Sequence, residues 1–157
     1  MCEHIFAGPH MHAFSRPIEV LLVDDSAADV RLTQEAFKEW HVSNRLNVVM
    51  DGVSALDFLH HEGAYKDAPR PDLVLLDLNL PGKNGPEVLE EIKSDPDLRR
   101  IPVMILSTSH EDSDLHRAYD LHANCYIAKP LDLDDFLNVV RSIEQFWLSG
   151  VVSLPRD

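Results

Sequence analysis

The sequence predicts an α/β domain, a doubly wound five-stranded parallel sheet with helices on both sides. Two observations carry this. Short apolar runs alternate five times with segments of helical period, joined by short connections, which is the pattern of a right-handed βα repeat. The runs are also apolar throughout rather than every second residue, as strands covered on both faces are. The 157 residues, 45% of them hydrophobic, suit one domain. A chain of that size buries roughly 68–70% of its unfolded surface, so it needs no disulfide or metal to fold.

Taken in order, residues 1–17 hold Gly8, Pro9 and Pro17 without sustained periodicity and read as a flexible lead-in, with Met11 as a second possible start. His10 and His12 offer a two-histidine surface chelate, read as incidental on such a segment. Ile18–Val23 is the first strand and ends in two aspartates; Ser26 then caps a helix, with Asp29 near its positive end and Val30, Thr33, Phe37 and Trp40 at helical spacing. Arg45–Met50 is the second strand, and Gly52–His61 a helix carrying Ala55, Leu56 and Leu59. A polar stretch, Glu62–Pro71, leads to the third strand, Asp72–Leu76. Gly82 and Gly85 bracket a turn before a helix with Val88, Leu89 and Ile92 inward. Pro102–Leu106 is the fourth strand, and Ser107–Ser109 breaks it before a more polar helix at about Asp112–Leu121. Asn124–Ala128 is the fifth strand, ended by Lys129-Pro130. Asp132 or Asp134 caps the last helix, whose stripe is Phe136, Val139, Val140, Ile143 and Trp147.

Charge excludes several functions. With 27 acidic against 14 basic side chains the net charge is −13, a field that repels phosphate backbones and anionic lipid, so no nucleic-acid or membrane-surface role is expected. No apolar run approaches the ~20 residues of a membrane span, and the first residues lack a signal peptide's basic and apolar regions. Cys2 and Cys125 are no disulfide framework, and the expected location is the cytoplasm. Cys125, on the fifth strand, reads as a small buried hydrophobe. His60, His61, His110, His116 and His122 share no metal-ligand spacing.

In a doubly wound sheet, function collects at the carboxyl ends of the strands. Those ends hold Asp24 and Asp25, Asp77 with Asn79 two residues on, Ser107, and Lys129. Three carboxylates on one rim repel each other unless a cation lies among them, and hard oxygen donors without Cys or His favour Mg²⁺. The Lys129 ammonium and Ser107 hydroxyl are then placed to meet a phosphoryl group's remaining oxygens, with Asp77 as its nucleophile. Singly, each residue is explained as a cap, a turn residue or a solvated base; four strand ends of complementary chemistry are not.

The motifs V-D-D-S (23–26), L-V-L-L-D-L-N-L-P-G-K-N-G (73–85), P-V-M-I-L-S-T-S (102–109) and Y-I-A-K-P (126–130) resemble the receiver domain of response regulators, the CheY-like family, over residues 18–147. The resemblance implies a flavodoxin/CheY-like (βα)5 fold with Asp77 as phosphoacceptor. It implies Mg²⁺ held directly by Asp25, chiefly through water by Asp24, and by the Asn79 backbone carbonyl. Lys129 would pair with the phosphoryl group, and the peptide before Pro130 would be cis. Ser107 takes the switch position, its hydroxyl drawn to the phosphoryl oxygen, and Tyr126 turns inward behind it, making the fourth helix and fifth strand the output face. The Glu62–Pro71 loop, the 144–155 tail and D-L-H-A-N-C-Y-I-A-K-P (120–130) further resemble stand-alone regulators paired with phytochrome-type histidine kinases.

The apolar tail residues Trp147, Leu148, Val151, Val152 and Leu154 either cover their own last helix or a second copy's. The resemblance favours the second: a homodimer built on the fourth helix, fifth strand and last helix, with residues 148–157 as an extended arm released at Gly150. The expected function is a phosphoacceptor switch acting by protein contact, fed by a sensor histidine kinase and read by a partner such as a downstream phosphotransfer protein. The competing enzyme reading, a Mg²⁺-dependent phosphatase with an aspartyl nucleophile, needs a carboxylate where Asn79 stands. A flavin module needs a Ser/Thr/Gly-rich loop where D-D-S-A-A-D (24–29) is acidic.

Overall fold

The computed structural model describes residues 16–40, 43–107, 125–128 and 133–148. Five parallel strands, β1 (Ile18–Val23), β2 (Asn44–Val49), β3 (Leu73–Leu76), β4 (Val103–Ser107) and β5 (Cys125–Ala128), lie in the order β2-β1-β3-β4-β5. The described helices are α1 (Ala27–Phe37), α2 (Gly52–His60), α3 (Gly85–Ser94) and α4 (Leu133–Leu148). The predicted helix at 112–121, Lys129-Pro130 with its predicted cis peptide, His10 and His12, and the arm beyond Leu148 lie outside the described residues.

Two cores sandwich the sheet, because successive side chains of each strand point to opposite faces. Leu21, Val23, Val74, Leu76, Val103 and Ile105 pack under α2 and α3, against Leu56, Leu59, Val88, Leu89 and Ile92. Val20, Leu22, Leu73, Leu75, Met104 and Leu106 pack on the other face against Phe37 and Val140. Trp40 follows α1 rather than ending it; its indole N–H donates to the Val140 carbonyl at 3.2 Å and its ring lies 4.6 Å from that of Phe37. This contact ties the end of α1 to α4.

Several sequence expectations change. β2 is half-buried rather than buried, because it is the sheet edge and carries Asn44, Arg45 and Asn47. Met50 falls past its end and is exposed. Asp134 cannot be the cap of α4, since the helix starts at Leu133 and Asp134 lies inside its first turn; Asp132 is outside the described residues. Arg16, within the predicted lead-in, is anchored to Asp72 at 3.2 Å.

That anchor belongs to a buried network at the amino end of the sheet. Glu19 accepts from Arg45 (3.2 Å) and Asn47 (3.1 Å) on β2, and Asp72 accepts from the Glu19 backbone N–H at 2.9 Å. Burial pushes the Asp72 carboxyl above its ordinary 3.8, and the nearby Glu19 charge adds to this; the Glu19 amide and the Arg16 guanidinium work the other way. A raised folded-state pKa means ionised Asp72 opposes folding above that pKa, and the opposition is relieved as pH falls through it. Asp72→Asn keeps an acceptor for the Glu19 amide and removes the ionisation. Its urea midpoint relative to wild type is therefore expected to be highest at neutral pH. The advantage should shrink as pH falls through the raised pKa toward the ordinary carboxylate value of 3.8. A difference that does not change with pH would contradict this.

Candidate functional site

The strand order reverses between β1 and β3, and side chains at their carboxyl ends meet there. Register does the placing: Val23 is opposite Leu76, so Asp24 and Asp77 leave the sheet at the same level. Their backbones continue the ladder, with the Asp24 N–H donating to Val49 O at 3.1 Å and the Asp77 N–H to Val23 O at 3.0 Å. Carboxylate oxygens of Asp24, Asp25 and Asp77 all lie within 4.8 Å of one another. Asp24 and Asp77 are buried, 1% and 7% exposed, and Asp25 is exposed to solvent.

Local turns orient the two buried carboxylates. The Ser26 N–H donates to Asp24 Oδ1 and the Asn79 N–H to Asp77 Oδ1, each at 2.9 Å, so each loop folds back on the aspartate two residues before it. Ser26 also caps α1, its Oγ accepting from the Asp29 N–H at 3.2 Å, as the sequence predicts. The loop after Asp77 needs a left-handed residue, supplied by Gly82 at φ 67°. It then enters α3 through a reciprocal cap: Asn84 accepts from the Glu87 N–H (3.0 Å) and Glu87 accepts from the Asn84 N–H (2.9 Å). A solvent-open hollow of about 430 Å³, lined by Asp25, Leu78, Asn79 and Pro81, adjoins the carboxylates. A larger hollow, about 700 Å³, lies by Phe37, Trp40 and Leu46; no acidic group is among its lining residues.

Such a site suits a small hard cation. Six ligands at 2.0–2.1 Å span roughly 4.2 Å across an octahedral shell, so oxygens that all lie within 4.8 Å of one another can share one such ion after small side-chain movements. The donors are all oxygen, and a cation among them would offset the repulsion of three carboxylates.

The other predicted residues are placed only in part. Ser107 ends β4 opposite Ala128 of β5. Tyr126 lies on β5 opposite Ile105. Lys129 lies outside the described residues. The Asn84–Glu87 cap was missed from sequence although its N-x-x-E spacing is a local signal; the approach of Gly52 and Gly85 to the Asp77 loop has no local signal.

The sequence profile of the response regulator receiver domain matches residues 20–141. The response regulator Rcp1 of a Synechocystis strain is 50% identical over 139 residues, 88% of this chain and 94% of the relative. The probable methanogenesis regulatory protein FilR2 of Methanothrix harundinacea is 44% identical over 84% of each chain. Among solved structures, the phosphorylated cyanobacterial phytochrome response regulator RcpA is similar with a TM-score of 0.84 at 50% identity, over 90% of this chain and all of that one. The Mn²⁺-bound form of Rcp1 gives 0.82 at 50% identity, over 89% and 100% of the two chains. Among the described residues, no helix is long and apolar enough to cross a membrane.

Proposed function

We propose a function that proceeds from one premise: this chain belongs to the response regulator receiver domain family. It accepts a phosphoryl group on Asp77 from a sensor histidine kinase of the phytochrome type, and signals by protein–protein contact. The observation that carries the reading is the meeting of Asp24, Asp25 and Asp77 where the strand order reverses. Similarity to phytochrome response regulators across nearly the whole of those chains supports the choice of kinase.

Asp25 would hold Mg²⁺ directly, Asp24 chiefly through water, and Asp77 and the Asn79 carbonyl would complete the protein's share. Bound there, the ion supplies positive charge against the phosphoryl oxygens. The remaining work is done by side chains. A carboxylate oxygen of Asp77 attacks phosphorus; the O–P bond forms as the N–P bond of the kinase phosphohistidine breaks, and its electron pair returns to the imidazole. The Asn79 N–H on Asp77 Oδ1 fixes the carboxylate's orientation. Lys129 pairs with the phosphoryl oxygens, Ser107 moves to one of them, and Tyr126 follows inward, altering the face formed by residues 112–121, β5 and α4. That face, with the arm beyond Leu148, is the proposed dimer contact. Asn79 puts an amide where a phosphatase would need its acid/base carboxylate, so the chain is a switch rather than a turnover enzyme.

Incubation with an autophosphorylated phytochrome-type kinase and Mg²⁺ tests this. The label is expected to leave the kinase and appear on this chain, and light scattering on the product is expected to give the molar mass of a dimer. Label that stays on the kinase contradicts the kinase assignment, and a monomer contradicts the dimer.

A further inference from the structure

The loop that carries Asp77 and Asn79 is held between the first residues of two helices, and in both places glycine alone fits. Gly85 opens α3, and a Cβ there would overlap the Leu78 Cα and stand 2.5 Å from the Asp77 carbonyl oxygen. Gly52 opens α2, and a Cβ there would overlap the Lys83 carbonyl oxygen and stand 2.8 Å from Val88 Cγ2. These neighbours are largely backbone, which cannot rotate away as a side-chain end would. Neither glycine has the positive φ of Gly63 or Gly82, so what is required is space, not a left-handed conformation. The Gly85 N–H also donates to Leu78 O at 3.1 Å, closing the loop on itself.

From this we infer that Gly52 and Gly85 are positioning residues for the phosphoryl site: their missing side chains let α2 and α3 clamp the 78–84 loop in place before any ion or phosphoryl group binds. The inference rests on the reading that Asp77 is the nucleophile and that the Asn79 carbonyl faces the cation. The two contacts act on different parts of that site. Gly85 bears on the backbone of Asp77 itself. Gly52 bears on Lys83, at the far end of the loop, so added bulk there swings the segment containing Asn79 while Asp77 keeps its ladder bond to Val23.

The test uses Gly52→Ala and Gly85→Ala in the full chain, with Mn²⁺ as the ion and acetyl phosphate as the donor. Gly63→Ala is the control, since Gly63 is conformationally strained for alanine but has nothing within 4 Å of its added carbon. Gly52→Ala is expected to raise the half-saturating Mn²⁺ concentration about tenfold, while labelling at saturating Mn²⁺ is largely kept. Gly85→Ala is expected to slow labelling at saturating Mn²⁺ by about a hundredfold, as a misplaced nucleophile does. Gly63→Ala is expected to lower thermal stability and change neither quantity. A role in stability alone would not divide the variants between ion affinity and rate.

Folded Gly52→Ala and Gly85→Ala proteins matching wild type in both quantities would overturn the inference. Where the variants do not fold, hydrogen exchange on metal-free wild type decides it. Slow exchange of the Asn79 and Gly85 amides supports a loop set in advance, and unprotected exchange overturns it. Wild type that takes up neither Mn²⁺ nor the phosphoryl group overturns the underlying reading and this inference with it. A competent wild type beside indistinguishable variants overturns this inference alone.

Discussion

Asp77→Asn is expected to abolish covalent labelling by acetyl phosphate while leaving the unfolding free energy within about 1 kcal/mol of wild type. An amide oxygen has almost the shape of the carboxylate oxygen it replaces and can still accept the Asn79 N–H now 2.9 Å from Asp77 Oδ1. The backbone bond from Asp77 N–H to Val23 O is untouched. What disappears is the negatively charged nucleophile, and with it the acyl phosphate. Loss of charge also relieves repulsion from Asp24 and Asp25, so stability should hold or rise slightly. Intact mass after acetyl phosphate and Mg²⁺, beside a urea titration, checks both halves. Labelling that survives in a folded variant would move the nucleophile elsewhere.

Asp25→Asn is expected to reverse its effect on stability with Mg²⁺. Without the ion, the variant should be more stable than wild type by something of order 1 kcal/mol, toward the low end because Asp25 is exposed and its repulsion is screened. With the ion, wild type should gain about 2.7 kcal/mol at a hundredfold excess over its dissociation constant, since an ion that binds only the folded state stabilises it by mass action. The variant should gain much less, so the order of the two unfolding midpoints inverts. Chelating the ion should also stop labelling of wild type by acetyl phosphate. The check is thermal unfolding of both proteins in chelator and in a Mg²⁺ series. An Asp25→Asn protein as responsive to Mg²⁺ as wild type would remove Asp25 from the ion site.

The meeting of the three aspartates was legible in the sequence because they sit where apolar runs stop. Ile18–Val23 and Leu73–Leu76 are followed at once by Asp24, Asp25 and Asp77, and in a parallel sheet such ends share one rim whatever the detailed packing. The two-sided cores were legible for the same reason, and Val88, Leu89 and Ile92 are buried as their spacing predicts. What stayed hidden depends on register or on approach between distant segments. Glu19 looks out of place in a buried strand until β2 is set alongside β1, bringing Arg45 and Asn47 to it. The half-burial of β2 follows from its edge position, and edge position is a property of the sheet rather than of R-L-N-V-V-M. Gly52 reads as an ordinary helix-start glycine because the Lys83 carbonyl that excludes a side chain is thirty-one positions away in the sequence.

The most direct measurement is to locate the phosphoryl group chemically. Protein treated with acetyl phosphate and Mg²⁺ is reduced with borohydride, which converts an aspartyl phosphate to homoserine, and the site is read by peptide mass spectrometry. Homoserine at position 77, absent when a chelator is present, is the expected result. Homoserine at position 24 or 25, or a phosphoryl group carried by histidine with Asp77 intact, would contradict the account.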